Sequence, residues 1–245
     1  ATFKKTSYDI TTKKTNMKYI YIVIFFMFLP IVAGAQEKDS LQIKREKFYA
    51  GISFSTVSHH IYYKNSKAQE IFNLGYFAPL SLYLGYNFGR NMRVQAGLAY
   101  GGSSEKFSWT PDNKVFHTVS SRTNVIAMPV TLQHVMFKVL RRFPLYVTGT
   151  LMPAYGISQT EYSQSENGVT AQVIDGTDQG INAFVTAGIG VNYKISQRLY
   201  GQVEYHALKY NLNGKNSLFY DWDQEHIGLM HLYKSVGIGL NYKLQ

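Results

Sequence analysis

The sequence predicts an all-β fold, an eight-stranded antiparallel up-and-down β-barrel that crosses a membrane. Segments between residues 48 and 244 alternate apolar and polar residues over roughly 9–11 positions, the length that a tilted strand needs to cross a bilayer. Long hydrophilic stretches alternate with very short turns between these segments, as in small transmembrane barrels. Only 16% of the residues are charged, and a single long apolar run is present, so the chain does not read as a helical membrane protein.

That apolar run lies near the N-terminus and predicts a secretory signal peptide. It spans residues 19–33, follows Lys18 and ends in a small-residue cleavage site, which places the cut between Ala35 and Gln36. A retained membrane helix is the alternative, but the run is shorter than the ~20 residues that a span requires. The predicted organisation is an upstream extension over 1–16, a signal peptide over 17–35, a periplasmic lead-in over 36–47 and the barrel over 48–245.

Charge and cysteine content restrict the function classes. Residues 1–35 hold five Lys and one Asp, so the predicted mature chain carries a formal charge of +6 against +10 for the whole. Much of the positive charge is therefore removed with the leader, and we expect no nucleic-acid partner. The absence of cysteine fits an envelope protein without a disulfide framework.

The first four predicted strands carry apolar residues outward at every second position. Gly89 begins the turn between the second and third strands. Pro129 falls on the lumen face of the fourth, where it must interrupt one ladder bond because proline has no N–H. The outward residues are Phe48, Ala50, Ile52 and Phe54; Leu80, Leu82, Leu84, Tyr86 and Phe88; Met92, Val94, Ala96, Leu98 and Tyr100; and Ile126, Met128, Val130 and Leu132.

The last four predicted strands repeat this pattern, and eight is an even number, as an antiparallel barrel requires. A related sequence ends the sixth strand at 188–195, the eighth at 237–244 and the second at 84–88. Since even strands run toward the same side, Phe88, Tyr193 and Tyr242 should form one aromatic girdle at the lipid interface. The outward residues are Leu145, Val147, Gly149 and Leu151; Val185, Ala187, Ile189, Val191 and Tyr193; Leu199, Gly201, Val203, Tyr205 and Ala207; and Val236, Ile238, Leu240, Tyr242 and Leu244.

Three stretches resemble the Bacteroidota outer-membrane β-barrel domain family, the PorT-like group of small eight-stranded barrels. They are the apolar-Pro-apolar stretch 126–132, the stretch 145–155 with Gly149, and Val203-Glu204-Tyr205. The resemblance implies an outer-membrane location, extracellular loops and periplasmic termini, with membrane lipids and the barrel assembly machinery as partners. Some members of the group are linked to protein secretion. Leu244-Gln245 replaces the usual aromatic last residue, which weakens the assembly signal.

The lumen is predicted to be filled. Bulky polar residues of the seventh strand face glycines of its neighbours, and eight strands enclose only enough space for side chains. Glu204 should be compensated by Arg93, Lys194 and Lys243, because a buried carboxylate is normally paired. A narrow proton or ion path is the alternative. The predicted polar cluster comprises Arg93, Gln95, Lys194, Gln202, Glu204 and Lys243.

Outer loops are predicted over 57–77, 101–122, 159–181 and 211–230. Their aromatic residues suit docking of an envelope or extracellular protein, although strand ends near the headgroups also collect Tyr and Trp. Asp221, Asp223 and Glu225, beside His226, are weak candidates for a divalent cation, and a solvated acidic face is the plainer reading. No cofactor is predicted.

The sequence therefore favours a structural or interaction protein, with an accessory role in secretion or surface assembly as one form of it. A lipid A-modifying enzyme is the alternative, but His231 and Ser235 on one strand would lie ~13 Å apart, too far for a proton relay. We predict no catalytic residues. A soluble lipocalin-like barrel would need an apolar pocket lining, whereas the apolar face here carries the girdle aromatics.

Overall fold

The protein is described by a computed structural model that covers residues 47–244 except 65, 67, 69–71, 73–74, 90, 111–114, 140–142, 167–168 and 214–234. The predicted leader, its cleavage site at Ala35 and Gln36, and the lead-in up to residue 46 lie outside the described residues. No helix in the described part is long and apolar enough to cross a membrane. The strands are β1 Phe48–Ser55, β2 His59–His60, β3 Tyr76–Phe77, β4 Leu80–Phe88, β5 Met92–Trp109, β6 Val115–Ala127, β7 Val130–Val139, β8 Phe143–Glu166, β9 Val169–Lys194, β10 Leu199–Asn211 and β11 Val236–Lys243.

Eight strand positions form a closed antiparallel ring, which confirms the predicted fold class. β1 pairs with β4 on one side and with β11 on the other, where Tyr49 lies opposite Lys243. The ring continues through β5, β6 with β7, β8, β9 and β10. Closure leaves no free strand edge within the ring, the condition for crossing lipid with strands.

The fourth ring position is broken at Pro129. β6 ends at Ala127 and β7 begins at Val130, while the Met128 amide donates to the Pro153 carbonyl at 2.9 Å. The Gly97 amide still donates to the Pro129 carbonyl at 3.1 Å. Pro129 therefore donates no hydrogen bond to the ladder, as predicted from its missing N–H, while its carbonyl still accepts one.

The outer wall is apolar, in agreement with the predicted alternation. Leu82, Leu84 and Leu98 expose more than 60% of their surface to the outside, as residues facing lipid would. At one end of the barrel Phe143 stacks on Tyr193 at 5.9 Å between ring centroids. Phe88 is the last residue of β4, and Tyr193 and Tyr242 are the next to last of β9 and β11. All three are exposed at this same end, where the girdle is predicted.

The predicted loops 101–122 and 159–181 are largely strands, so that part of the prediction is wrong. The β4–β5 register ends with Leu80 opposite Tyr100, whereas β5 continues beside β6 to Trp109. β8 and β9 pair as far as Glu166 and Val169. Beyond the apolar band the outer face meets water, and buried residues of the inner face such as Ser121, Thr123 and Thr160 are polar. The apolar–polar alternation that identifies strands therefore disappears. We call residues 101–109, 115–125, 156–166 and 169–180 the strand extension.

Candidate functional site

Three tyrosines close the lumen at its girdle end, each lying over a glycine directly opposite on the neighbouring strand. A Cβ on Gly190 would lie 2.4 Å from the Tyr146 ring, and one on Gly85 would lie 2.0 Å from the Tyr49 ring. Glycine is therefore required wherever a tyrosine crosses the narrow lumen. The pairs are Tyr49 with Gly85, Tyr83 with Gly51, and Tyr146 with Gly190. We call these tyrosines the floor.

Glu204 lies above the floor and is held by uncharged donors. Its Oε1 accepts hydrogen bonds from Gln133 Nε2 at 3.0 Å and from the Tyr146 hydroxyl at 2.9 Å. Its Oε2 lies 3.7 Å from His206 Nε2. Amide and phenol donors thus take the place of a cation at this buried carboxylate.

The predicted pairing of Glu204 with basic groups is therefore wrong. Lys194 is exposed at the end of β9, Arg93 is half-buried, and the Lys243 ammonium lies 4.8 Å from the centre of the Tyr200 ring. Near the strand ends such long cationic side chains can keep their charges hydrated without reaching Glu204. Their positions in the sequence did not show how far from Glu204 along the barrel axis their charges lie.

The remaining predicted polar residues do meet inside the barrel. Tyr83 donates to Asn241 Oδ1 at 2.8 Å, and Asn241 donates to Gln202 Oε1 at 2.9 Å. Gln95 is buried and lines the same space, with no hydrogen-bond partner for Nε2 among the described residues. Gln95, Gln202 and Glu204 thus belong to one polar lumen.

Above Glu204 lies a cavity of about 80 Å³ with a mixed polar and apolar lining, which we call the chamber. Its lining includes Gln95, Gln202, Glu204 and His206, and the hydroxyl groups of Ser53, Ser81, Thr131, Thr150 and Thr186. Space for one water requires about 10–15 Å³, so the chamber has room for several. Water there would satisfy Gln95 Nε2 and other buried polar atoms that face it.

The segment that follows β1 folds back into the barrel mouth and caps the chamber, a feature the sequence does not predict. Ile61 and Phe77 are fully buried and pack with Phe184 and Met152 of the wall in one apolar cluster. Val57 and His59 line the chamber from this segment. We call residues 57–63 and 76–77 the plug, and it corrects the prediction of a plain outer loop over 57–77.

Polar groups of the wall fasten the plug. The Asn182 amide accepts from the Tyr62 backbone N–H and donates to its carbonyl, both at 3.0 Å. Asn211 Nδ2 donates to the His60 carbonyl at 3.1 Å. Tyr63 shares a hydrogen bond of 2.7 Å with Ser158, and burial raises the pKa of Tyr63 to about 12. Side chains of the wall thus bond backbone groups of the plug that would otherwise be buried without a partner.

A β-bulge supplies part of this fastening. The β9–β10 register shifts between His206 and Leu208. Beyond this bulge the odd-numbered residues of β10 face inward. Lys209 and Asn211 consequently point into the lumen, and the Lys209 ammonium donates to the Ser58 carbonyl. An extra residue in a strand gives no clear sequence signal, so these contacts could not be predicted.

The strand extension carries an aromatic cluster on the face that continues the lumen. Trp109 stacks on His117 at 5.0 Å, and His117 Nδ1 shares a 2.9 Å hydrogen bond with the Tyr162 hydroxyl. Phe72 packs edge-on against Tyr162 at 5.2 Å. Phe107 and Trp109 remain more than one third exposed, so part of this cluster is available to contact another molecule.

Other sequence candidates have different outcomes. Asp221, Asp223, Glu225, His226 and His231 lie outside the described residues. Within residues 47–244, less the gaps given above, no group of three or more His, Asp or Glu side chains could hold a metal ion. Ser235 is buried, and its carbonyl accepts from the His206 amide at 2.8 Å.

Comparison with known proteins agrees with this architecture. The profile of one protein family, described as outer membrane protein beta-barrel domain, matches residues 22–243. No curated protein sequence matches the chain.

Three solved structures are similar to it. The translocator domain of the autotransporter NalP from Neisseria meningitidis is 11% identical, with a TM-score of 0.38, over 93% of this chain and 97% of that one. Ail, the attachment invasion locus protein of Yersinia pestis, is 10% identical, with a TM-score of 0.30, over 80% of this chain and 91% of that one. Acinetobacter baumannii CarO is 10% identical, with a TM-score of 0.30, over 84% of this chain and 100% of that one.

Proposed function

Since this chain belongs to the outer membrane protein beta-barrel domain family, we propose that it is a non-conducting barrel with a structural or interaction role in the outer membrane. The observation that carries the proposal is the double closure of the lumen. The tyrosine floor fills one end, and the plug buries Ile61 and Phe77 in an apolar layer at the other. An apolar layer without water excludes ions because they would lose their hydration there.

The strand extension is the part of the described molecule best placed to meet a partner. Its strands rise roughly 25–30 Å beyond the ring. It presents Phe107 and Trp109 partly exposed, together with Phe116, which is 50% exposed on the opposite face. Aromatic side chains contribute much of the binding energy at protein interfaces.

Orientation forms part of the proposal. Strands at the girdle end are joined by turns such as that between Phe88 and Met92, whereas β5, β8 and β9 lengthen at the other end. Long extracellular and short periplasmic connections are typical of outer-membrane barrels. We therefore assign the extension to the cell exterior and the ends of β1 and β11 at Phe48 and Lys243 to the periplasm. A role in secretion or surface assembly, and membership of the PorT-like group, remain predictions.

Site-specific photo-crosslinking in living cells tests the interaction role. A photoreactive residue replacing Phe116 should yield a discrete protein adduct, identifiable by mass spectrometry. The same residue replacing Leu84, which faces lipid, serves as the matched control and should yield no protein adduct. Absence of adducts at Phe116, Phe107 and Trp109 would contradict an interaction through the extension. A change in lipid A after gene deletion would instead indicate an enzyme.

A further inference from the structure

His59 is the most unusual titratable group of the plug. Its side chain is buried and packs against two phenyl rings that also contact each other, with centroid distances of 5.4 Å to Phe77 and 4.9 Å to Phe184. Its Nδ1 has no hydrogen-bond partner among the described residues. A neutral imidazole is tolerated in such a place, but an imidazolium would be buried with no protein group to accept from Nδ1.

The charges around His59 make its protonation still less favourable. The carbonyl of the adjacent residue, Ser58, accepts a hydrogen bond from the Lys209 ammonium. His206 lies on the same strand as Lys209, and its Nε2 is 3.7 Å from Glu204 Oε2. The other chamber-lining groups from β1, β4, β5, β7, β8, β9 and β11 include one more titratable side chain, the Tyr83 phenol.

Glu204 does not offset a charge on His59. Its Oε1 is engaged by Gln133 and Tyr146, and its Oε2 faces His206. Protonated His206 would therefore pair with Glu204 inside the wall. A proton on His59 would instead add a second positive charge to a plug that Lys209 already contacts.

We propose that the plug is an acid-released closure, in which a proton on His59 drives residues 57–63 out of the barrel mouth. Release opens the chamber as a blind pocket, because the floor of Tyr49, Tyr83 and Tyr146 remains in place. The opened pocket exposes the Glu204 carboxyl group, the His206 imidazole and the hydroxyl-bearing side chains of the wall to water. This inference does not depend on the proposed interaction role.

The direction of the pH effect follows from linkage. Burial first, then Lys209 and His206, hold the pKa of His59 well below its ordinary value of 6.5. A released His59 in water regains the ordinary value, so the released form binds the proton more strongly. The closed plug is fully favoured above about pH 6.5, and its population relative to the released form falls as the pH drops below that value. One histidine gives at most about a tenfold change per pH unit.

Because the natural chain has no cysteine, single-cysteine labelling of the folded protein in vesicles can test this. Val57→Cys reports on the plug, since Val57 is 1% exposed. Its maleimide labelling rate is divided by that of Ser104→Cys, an exposed position, to remove the pH dependence of the thiol. We expect the ratio to rise at least tenfold between about pH 7.5 and about pH 5.

Three controls make the result decisive. His59→Phe, which keeps an aromatic ring against Phe77 and Phe184, should abolish the rise, and His60→Gln should retain it. His59→Gln serves the same purpose if the phenylalanine variant fails to fold. Thr148→Cys, 2% exposed in the wall, should stay protected. A flat ratio in the natural background, a rise that survives without His59, or labelling of Thr148→Cys in parallel would each overturn the proposal.

Discussion

Gly190→Ala is expected to destabilise the barrel strongly despite adding one methyl group. The new Cβ would lie 2.4 Å from Tyr146 Cζ and 2.5 Å from its hydroxyl oxygen, so the buried ring must move. Overpacking of this kind costs about 1–3 kcal/mol. Displacing the hydroxyl also weakens its 2.9 Å hydrogen bond to Glu204, worth about 1.5–3 kcal/mol to a charged acceptor. We therefore expect the free energy of unfolding to fall by about 2–5 kcal/mol.

Equilibrium unfolding in guanidinium, starting from the protein in lipid vesicles, measures this loss. Gly149→Ala is the matched control, because a Cβ there meets no atom within 4 Å and should change stability by less than about 0.5 kcal/mol. In a Tyr146→Ala background, Gly190→Ala should lower the free energy of unfolding much less, because the ring that clashes with the new Cβ is absent. Equal losses for Gly190→Ala and Gly149→Ala, or an undiminished loss without the Tyr146 ring, would refute the reasoning.

Two further changes test the lumen network and the plug. Glu204→Ala leaves the Gln133 amide and the Tyr146 hydroxyl without their acceptor, so the free energy of unfolding should fall by roughly 2–5 kcal/mol. Glu204→Gln keeps an acceptor and should cost clearly less, and equal losses in the same titration would contradict the assigned hydrogen bonds. Asn182→Ala removes both hydrogen bonds to the Tyr62 backbone and should make the plug cleavable by added protease. The heat-dependent gel shift of the barrel should persist, and a plug that stays resistant would show that Asn182 does not fasten it.

The ring itself was predictable from sequence because lipid imposes a strict pattern. Every outward position between the two interfaces must be apolar, so alternation such as Leu80, Leu82 and Leu84 marks both strand and face. The missing ladder bond at Pro129 was likewise predictable, because proline has no backbone N–H. The strand extension was not predictable, because its outer face meets water and polar residues there are equally suited to loop and strand.

The candidate site was predicted only in outline. Glycines opposite bulky residues of the seventh predicted strand indicated a filled lumen, and Gln202 does lie opposite Gly239. The tyrosine that lies over Gly190 comes from another strand and was not predicted. The predicted partners of Glu204 were wrong. Whether a lysine can keep its ammonium group in water depends on how far along the strand it lies, and the sequence alone does not give that distance. The plug depends on contacts between residues over a hundred positions apart, such as Tyr62 with Asn182, and on the bulge that turns Lys209 inward.

Single-channel recording in planar bilayers tests the closed lumen most directly. Purified natural protein, shown to be folded by its different gel mobility before and after boiling, should insert without producing steady conductance steps at neutral pH. The tyrosine floor and the plug would each block ion flow. Stable, reproducible steps of one size from the natural protein would contradict the closed lumen and would make transport its function.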